Sequence, residues 1–101
     1  MLQGEFYHIN SDGCIVFNAA HPIFKAHFPS QPIVPGACLL QIVEEVAGKR
    51  ITAIRNLKFL CPVTPDKHPR LVIHDTQVQI EDENIVYAKM SIEYNCNYSN
   101  L

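Results

Sequence analysis

The sequence predicts an α+β domain in which a curved antiparallel sheet of about five strands wraps one central helix. Three observations carry that expectation. The stretch Ala37 to Gly48 is apolar except for Gln41, Glu44, Glu45 and Gly48, which fall at i, i+3, i+4 and i+7 and form one narrow stripe. A helix of that kind is buried from most directions. Segments rich in β-branched and aromatic residues stand on both sides of it. A chain of 101 residues makes one domain, residues 1–101, with a single core.

In chain order, Phe6-Tyr7-His8-Ile9 and Cys14-Ile15-Val16-Phe17 flank Asn10-Ser11-Asp12-Gly13, whose Asp-Gly pair suits a tight hairpin turn; the second strand ends near Ala19. His21-Pro22-Ile23-Phe24 reads as the start of a loop. Pro29, Pro32 and Pro35 keep that loop extended, because proline fixes φ and disfavours helix in the residue before it. The helix begins beyond them, and Gly48 is placed to cap its end, with Lys49 and Arg50 near the negative end of the dipole. A third strand runs from Ile51 to Leu60, and Pro62 to Pro69 is a loop. Leu71 to Ile80 is read as one strand with a bulge near Thr76, where the alternation shifts. Glu81 to Asn84 is a turn, Ile85 to Tyr94 the fifth strand, and the tail from Asn95 frays.

Composition narrows the function classes. With 48% hydrophobic and 18% charged residues and a formal charge of −2, the chain is globular and carries no basic-aromatic stripe for nucleic acid. The first residues have neither the basic nor the apolar region of a signal peptide, and no apolar run reaches membrane length. The expectation is a soluble cytoplasmic protein. Cys14, Cys38, Cys61 and Cys96 are scattered without a C-x-x-C pair, and the five histidines make no i, i+4 pair, so reduced packing thiols and no metal or cofactor are expected.

The loop from His27 to Gly36 carries the most specific chemistry. Gly36 opens an apolar helix, so backbone N–H groups are delivered at a helix start, where negative charge is favoured. His27 stands at the other end of the loop as a titratable side chain able to act on a substrate lying over those N–H groups. The alternative is a loop histidine capping a backbone carbonyl. His21 is a second imidazole, with Pro22 marking it as a turn residue.

His27-Phe28-Pro29-Ser30-Gln31-Pro32-Ile33-Val34-Pro35-Gly36, followed by a hydrophobic helix, resembles the signature of the hot-dog-fold 3-hydroxyacyl-acyl-carrier-protein dehydratases of fatty acid synthesis. Asn56-Leu57-Lys58-Phe59-Leu60-Cys61-Pro62-Val63 is similar to the strand after that helix in the same family. The resemblance implies a hot-dog fold without cofactor, paired as a homodimer or a higher oligomer with its sites between protomers. It implies His27 as catalytic base, working with a helix residue of the partner, and Phe28, Pro35, Gly36 and Ala37 around the substrate. The reaction implied is loss of water from a (3R)-hydroxyacyl thioester on acyl carrier protein, giving a trans-2-enoyl thioester, in fatty acid or polyene-type biosynthesis.

One departure bears on that chemistry. The family places a carboxylate at the position of Gln41 and a glutamine at that of Glu45, and this chain has the two exchanged. Gln41 can orient a hydroxyl or a water but has no acidic proton, whereas Glu45 lies one turn, about 6 Å, along the axis. Gln41 and Glu45 are therefore both candidate catalytic residues beside His27. Two alternatives follow: a weakened subunit that holds acyl chains or carrier protein or pairs with an active dehydratase, and an acyl thioesterase using Glu45.

Charge adds a partner expectation. Six of the eight Lys and Arg residues (Lys49, Arg50, Arg55, Lys58, Lys67 and Arg70) lie between positions 49 and 70, where Asp66 is the only acid. They suit docking of an acidic carrier protein, or form a solvated strand face. The Pro62–Pro69 loop is expected to border the acyl tunnel.

Overall fold

The computed structural model describes residues 2–26 and 30–95. Its elements are β1 (Tyr7–Ile9), β2 (Ile15–Phe17), α1 (Pro22–Ala26), α2 (Gly36–Ala47), β3 (Arg50–Phe59), β4 (Arg70–His74), β5 (Gln77–Glu81) and β6 (Val86–Asn95). All strand pairs are antiparallel, in a two-stranded sheet β1-β2 and a four-stranded sheet ordered β3-β6-β5-β4. The α+β class holds, and the arrangement is consistent with a hot-dog fold.

The strand inventory differs from the expectation of about five strands in one sheet: six strands lie in two sheets. The segment from Leu71 to Ile80 is a hairpin, not a bulged strand. Asp75 takes a left-handed φ of 57° and turns the chain, so that Ile73 pairs with Val78 and Leu71 with Ile80. Both apolar pairs then face the core, and the shift of alternation at Thr76 is the turn itself. The second difference lies at Pro22, which opens α1 where a loop was expected. Proline suits the first helical position, whose N–H has no intrahelical partner.

Three register shifts bend the larger sheet. Between Ile51 and Ala53, and again between Arg55 and Lys58, β3 carries one more residue than β6 opposite it; Asn56 sits in the second irregularity at φ 54°. Between Ile80 and Glu81 the extra residue is on β6 and is Tyr87, whose carbonyl accepts from Leu60 and Cys61 N–H at 2.8 and 3.2 Å. Each bulge raises the local twist. The small sheet joins the β4 edge through Ile15 N–H to the Pro69 carbonyl at 2.8 Å and a bridge between Cys14 and Arg70.

The core forms where α2 meets these sheets. Leu39, Ile42 and Val43 are its buried residues, packed with Ile80, Ala88, Met90 and Ile92 of the sheet and with Phe6, Ile15 and Phe24. Ala37 and Gln41 remain exposed on one side of α2, and Val46 is exposed near its end on another. Gly48, at φ 66°, donates its N–H to the Glu44 carbonyl at 3.0 Å and ends the helix as expected. Asn10 likewise closes the first hairpin, its side-chain oxygen accepting from Asp12 and Cys14 N–H at 3.0 and 2.9 Å. Asn95 is still within β6, and the tail beyond it, with Cys96, lies outside the described residues.

Candidate functional site

The start of α2 is built from proline chemistry. Pro35, at φ −59° and ψ 142°, offers no capping side chain, and its carbonyl accepts from Cys38 and Leu39 N–H at 3.0 and 3.2 Å. The N–H groups of Gly36 and Ala37 precede those and have no acceptor within the helix. Val34 is buried and donates its N–H to the Val63 carbonyl at 2.7 Å, which ties the proline loop to the segment after β3. His27 and Phe28 lie outside the described residues.

Beside this helix start is an apolar cavity of about 310 Å³. Ile33, Val34, Gly36 and Leu39 form one wall, and Phe59 to Val63 the other. The ring of Phe59 lies flush on Gly36: a Cβ there would stand 2.7 Å from Phe59 Cζ and 3.0 Å from Cε2. Glycine is needed for that approach, not for its backbone angles. Pro62 and Val63 bring the expected loop to the cavity, whereas Pro35, half-buried, and Ala37, exposed on the helix surface, are not among the residues that line it.

One turn further along α2 the polar stripe is held by specific bonds. Glu45 accepts from Leu2 N–H at 2.8 Å, Gln3 N–H at 2.9 Å, Tyr7 O–H at 3.1 Å and Gln41 Nε2 at 3.1 Å. Burial alone would raise its carboxyl, but these donors outweigh it and hold the group below its ordinary value. The same contact acts oppositely on the phenol: burial first, then the bond to Glu45 and its charge, push Tyr7 well above the usual tyrosine value. Glu44 accepts from Ile51 N–H at 2.9 Å and fixes the entry to β3. The two glutamates thus serve as acceptors for backbone, and Gln41, exposed, touches the carboxylate with which its position is exchanged.

The six basic residues are not gathered into one patch. Lys49, Arg50, Arg55 and Lys58 follow β3, whereas Arg70 is on β4 at the opposite edge of the sheet, reaching the Asp12 carbonyl at 3.4 Å. Lys49 sits over the Tyr94 ring at 4.2 Å, Arg55 pairs with Glu93 at 3.2 Å, and Lys67 with Asp66 at 3.8 Å. Lys58 stands directly opposite Lys89. Those two like charges leave the end of β3 positive.

His21 has a structural post. Its Nδ1 accepts from Ile23 N–H at 3.1 Å, its carbonyl from Phe24 N–H at 3.1 Å, and its ring meets Phe6 edge-on at 5.2 Å, so it holds the start of α1. Sequence reasoning missed Tyr7 and Phe59 as site residues. Phe59 sat inside the block that resembles the family strand, and Gly36 was the cue that something packs against the helix start. Nothing local to Tyr7 points to Glu45, 38 positions away. Among the described residues no group of three or more His, Cys, Asp or Glu converges as a metal site, and no helix is long and apolar enough to cross a membrane.

Comparison with known proteins bears on this geometry. The chain is 31% identical over 67 residues to the 3-hydroxyacyl-(acyl-carrier-protein) dehydratase FabZ of Geotalea uraniireducens (strain Rf4), a match covering 52% of this chain and 46% of that protein. The chain therefore spans less than half the length of this curated relative. A family model described as ApeI-like, ApeI dehydratase, matches residues 9–98, which takes in the proline loop, all of α2 and the four-stranded sheet. On that match the chain belongs to the ApeI-like dehydratases, within the wider group of hot-dog 3-hydroxyacyl-acyl-carrier-protein dehydratases.

Proposed function

We propose that this protein removes water from (3R)-hydroxyacyl thioesters carried on acyl carrier protein, giving trans-2-enoyl thioesters in the cytoplasm during fatty acid or polyene-type biosynthesis. The observation that carries the reading is the apolar cavity opening beside an uncapped helix start. An acyl chain suits the cavity, and a thioester oxygen suits the N–H groups of Gly36 and Ala37. Phe28 and Pro35 complete the proposed binding surface.

In the reaction, His27 takes the C2 proton while the helix-start N–H groups stabilise the enolate oxygen, a single donor of this type being worth roughly 3 kcal/mol. The electron pair then forms the C2=C3 bond as C3–O breaks. Hydroxide leaves poorly without a proton, and Gln41 has none to give. Glu45, held ionised by its four donors, has none either. The imidazolium of His27 therefore returns its proton to the leaving oxygen, so water departs and His27 ends neutral. The Glu45 network also weighs against a thioesterase, which would need that carboxylate free to direct a water.

The edge strand β3, with Leu57 and Phe59 exposed and Leu60 exposed just beyond it, supports a homodimer with its sites between protomers. Lys58 and Lys89, with the other β3 cations, are the proposed carrier-protein contact. The alternative of a binding or partner subunit rests on Gln41, and one experiment separates the two. A panel of 3-hydroxyacyl carrier proteins is incubated with the chain and followed by mass spectrometry. Loss of 18 Da, about one water, that vanishes in His27→Ala supports the dehydratase. No loss with wild type, but loss with Gln41→Glu, supports the partner subunit.

A further inference from the structure

The proposed reaction gives no step to the polar stripe of α2, and Glu45 is the group of that stripe with the most hydrogen bonds. Among the described residues it receives four hydrogen bonds, from Leu2 and Gln3 N–H, from Tyr7 O–H and from Gln41 Nε2. A carboxylate only accepts, so the adjacent amide has to turn its nitrogen toward it. With its nitrogen committed to Glu45, the oxygen of the exposed Gln41 is the end of the amide left to accept from another donor.

We infer that Glu45 is a positioning residue: a fixed anion, anchored to the backbone of Leu2 and Gln3, that orients the Gln41 amide and presents its Oε1 as the acceptor for the substrate 3-hydroxyl. The inference rests on the dehydratase reading and deepens it by naming the group and the atom that meet the leaving oxygen. It also gives the exchanged pair a logic. An amide at position 41 is useful only if it is held one way round, and a carboxylate one turn on is the neighbour that holds it. Among the described residues packed on Glu45, Tyr7 of β1 is the titratable one, and Glu44 beside it is turned to Ile51 N–H.

Two predictions follow from the 3.1 Å contact. In Gln41→Glu two carboxyls stand within hydrogen-bond reach, so the pair keeps one proton above the ordinary glutamate range, by about one pH unit or more. In Gln41→Glu/Glu45→Gln the introduced carboxyl has a neutral neighbour, and its titration falls back.

The test is carbon NMR of the full chain labelled at glutamate Cδ, together with the side-chain amide signals of Gln41, across pH. In wild type, which needs no variant to fold, the Gln41 amide signals are expected to shift at the titration midpoint of Glu45. Amide signals indifferent to that titration overturn the inference, as does an introduced carboxyl that titrates alike in the single and double variants. Dehydration by the same proteins is the second arm. Activity of Gln41→Glu is expected to fall as pH rises through the elevated midpoint, and that of the double variant at lower pH. Coupled titration with no dehydration by any protein keeps Glu45 as the anchor of Gln41 and removes the dehydratase reading. Dehydration with identical pH profiles in both variants keeps that reading and overturns the inference.

Discussion

The two ends of the central helix are finished in opposite ways. At its start, Pro35 supplies no side-chain cap, and Gly36 opens beside an apolar cavity of about 310 Å³. Toward its end, Glu44 and Glu45 are taken up by backbone N–H groups and Gly48 closes the last turn. Hydrogen-bonding capacity is left open at one end and filled at the other along a single helix. The carboxylates that a reader of sequence would suspect of catalysis are committed to structure, while the unfilled groups are backbone N–H and one amide. On the proposed reading the acyl thioester is met at the open end.

The sharpest way to break that contrast is His27→Ala. If His27 both takes and returns the proton, the variant loses base and acid together. Turnover should fall by about a hundredfold to ten-thousandfold, toward the limit of detection. A rate within a few-fold of wild type in the mass-spectrometric assay would move the chemistry away from the loop.

Gly36→Ala comes next. Gly36 lacks a positive φ, so alanine fits the backbone and raises helix propensity by up to about 1 kcal/mol. Its methyl, however, meets the Phe59 ring at 2.7 Å, and the ring has to move against the cavity wall. A cost of about 1–3 kcal/mol is expected, read as roughly a tenfold to hundredfold loss in kcat/KM with folding retained. The double variant Gly36→Ala/Phe59→Leu should recover much of that loss. A double variant whose loss equals the sum of the two single losses would show that the Gly36–Phe59 contact is not what the methyl disturbs.

How much of this was legible beforehand depends on the range of each interaction. The Asn10–Gly13 turn, the helix limits and the Gly48 cap are local, written in the residues that perform them. The proline-glycine run that delays the start of α2 is local in the same way. Leu71 to Ile80 misled because an Asp75-Thr76 turn lacks the glycine that announces a hairpin, and because a parity shift reads equally as a bulge. Pro22 misled because proline both ends extended segments and begins helices. The Glu45 network could not be read at all, since Leu2, Gln3 and Tyr7 reach it only once β1 is folded against α2. The face of the helix was legible, and the partners of that face were not.

The smallest effect tests the filled end through its stability. Burial opposes ionisation of Glu45, but the bonds from Leu2, Gln3, Tyr7 and Gln41 prevail, so its folded pKa lies below the unfolded value of about 4.3. The sign follows from proton counting. Below the unfolded pKa the unfolded chain binds the proton more readily, so the contribution is complete above that value and is lost as pH falls through the folded one. Because Glu45 is only partly buried, solvent screens the gain, and about 1 kcal/mol is the expected size. Urea unfolding between about pH 6 and 3 should therefore show a steeper acid loss in wild type than in Glu45→Gln, which is neutral throughout. Parallel curves would mean that the donors around Glu45 are equally satisfied by an uncharged amide, and that the anion is not what holds the first residues of the chain to α2.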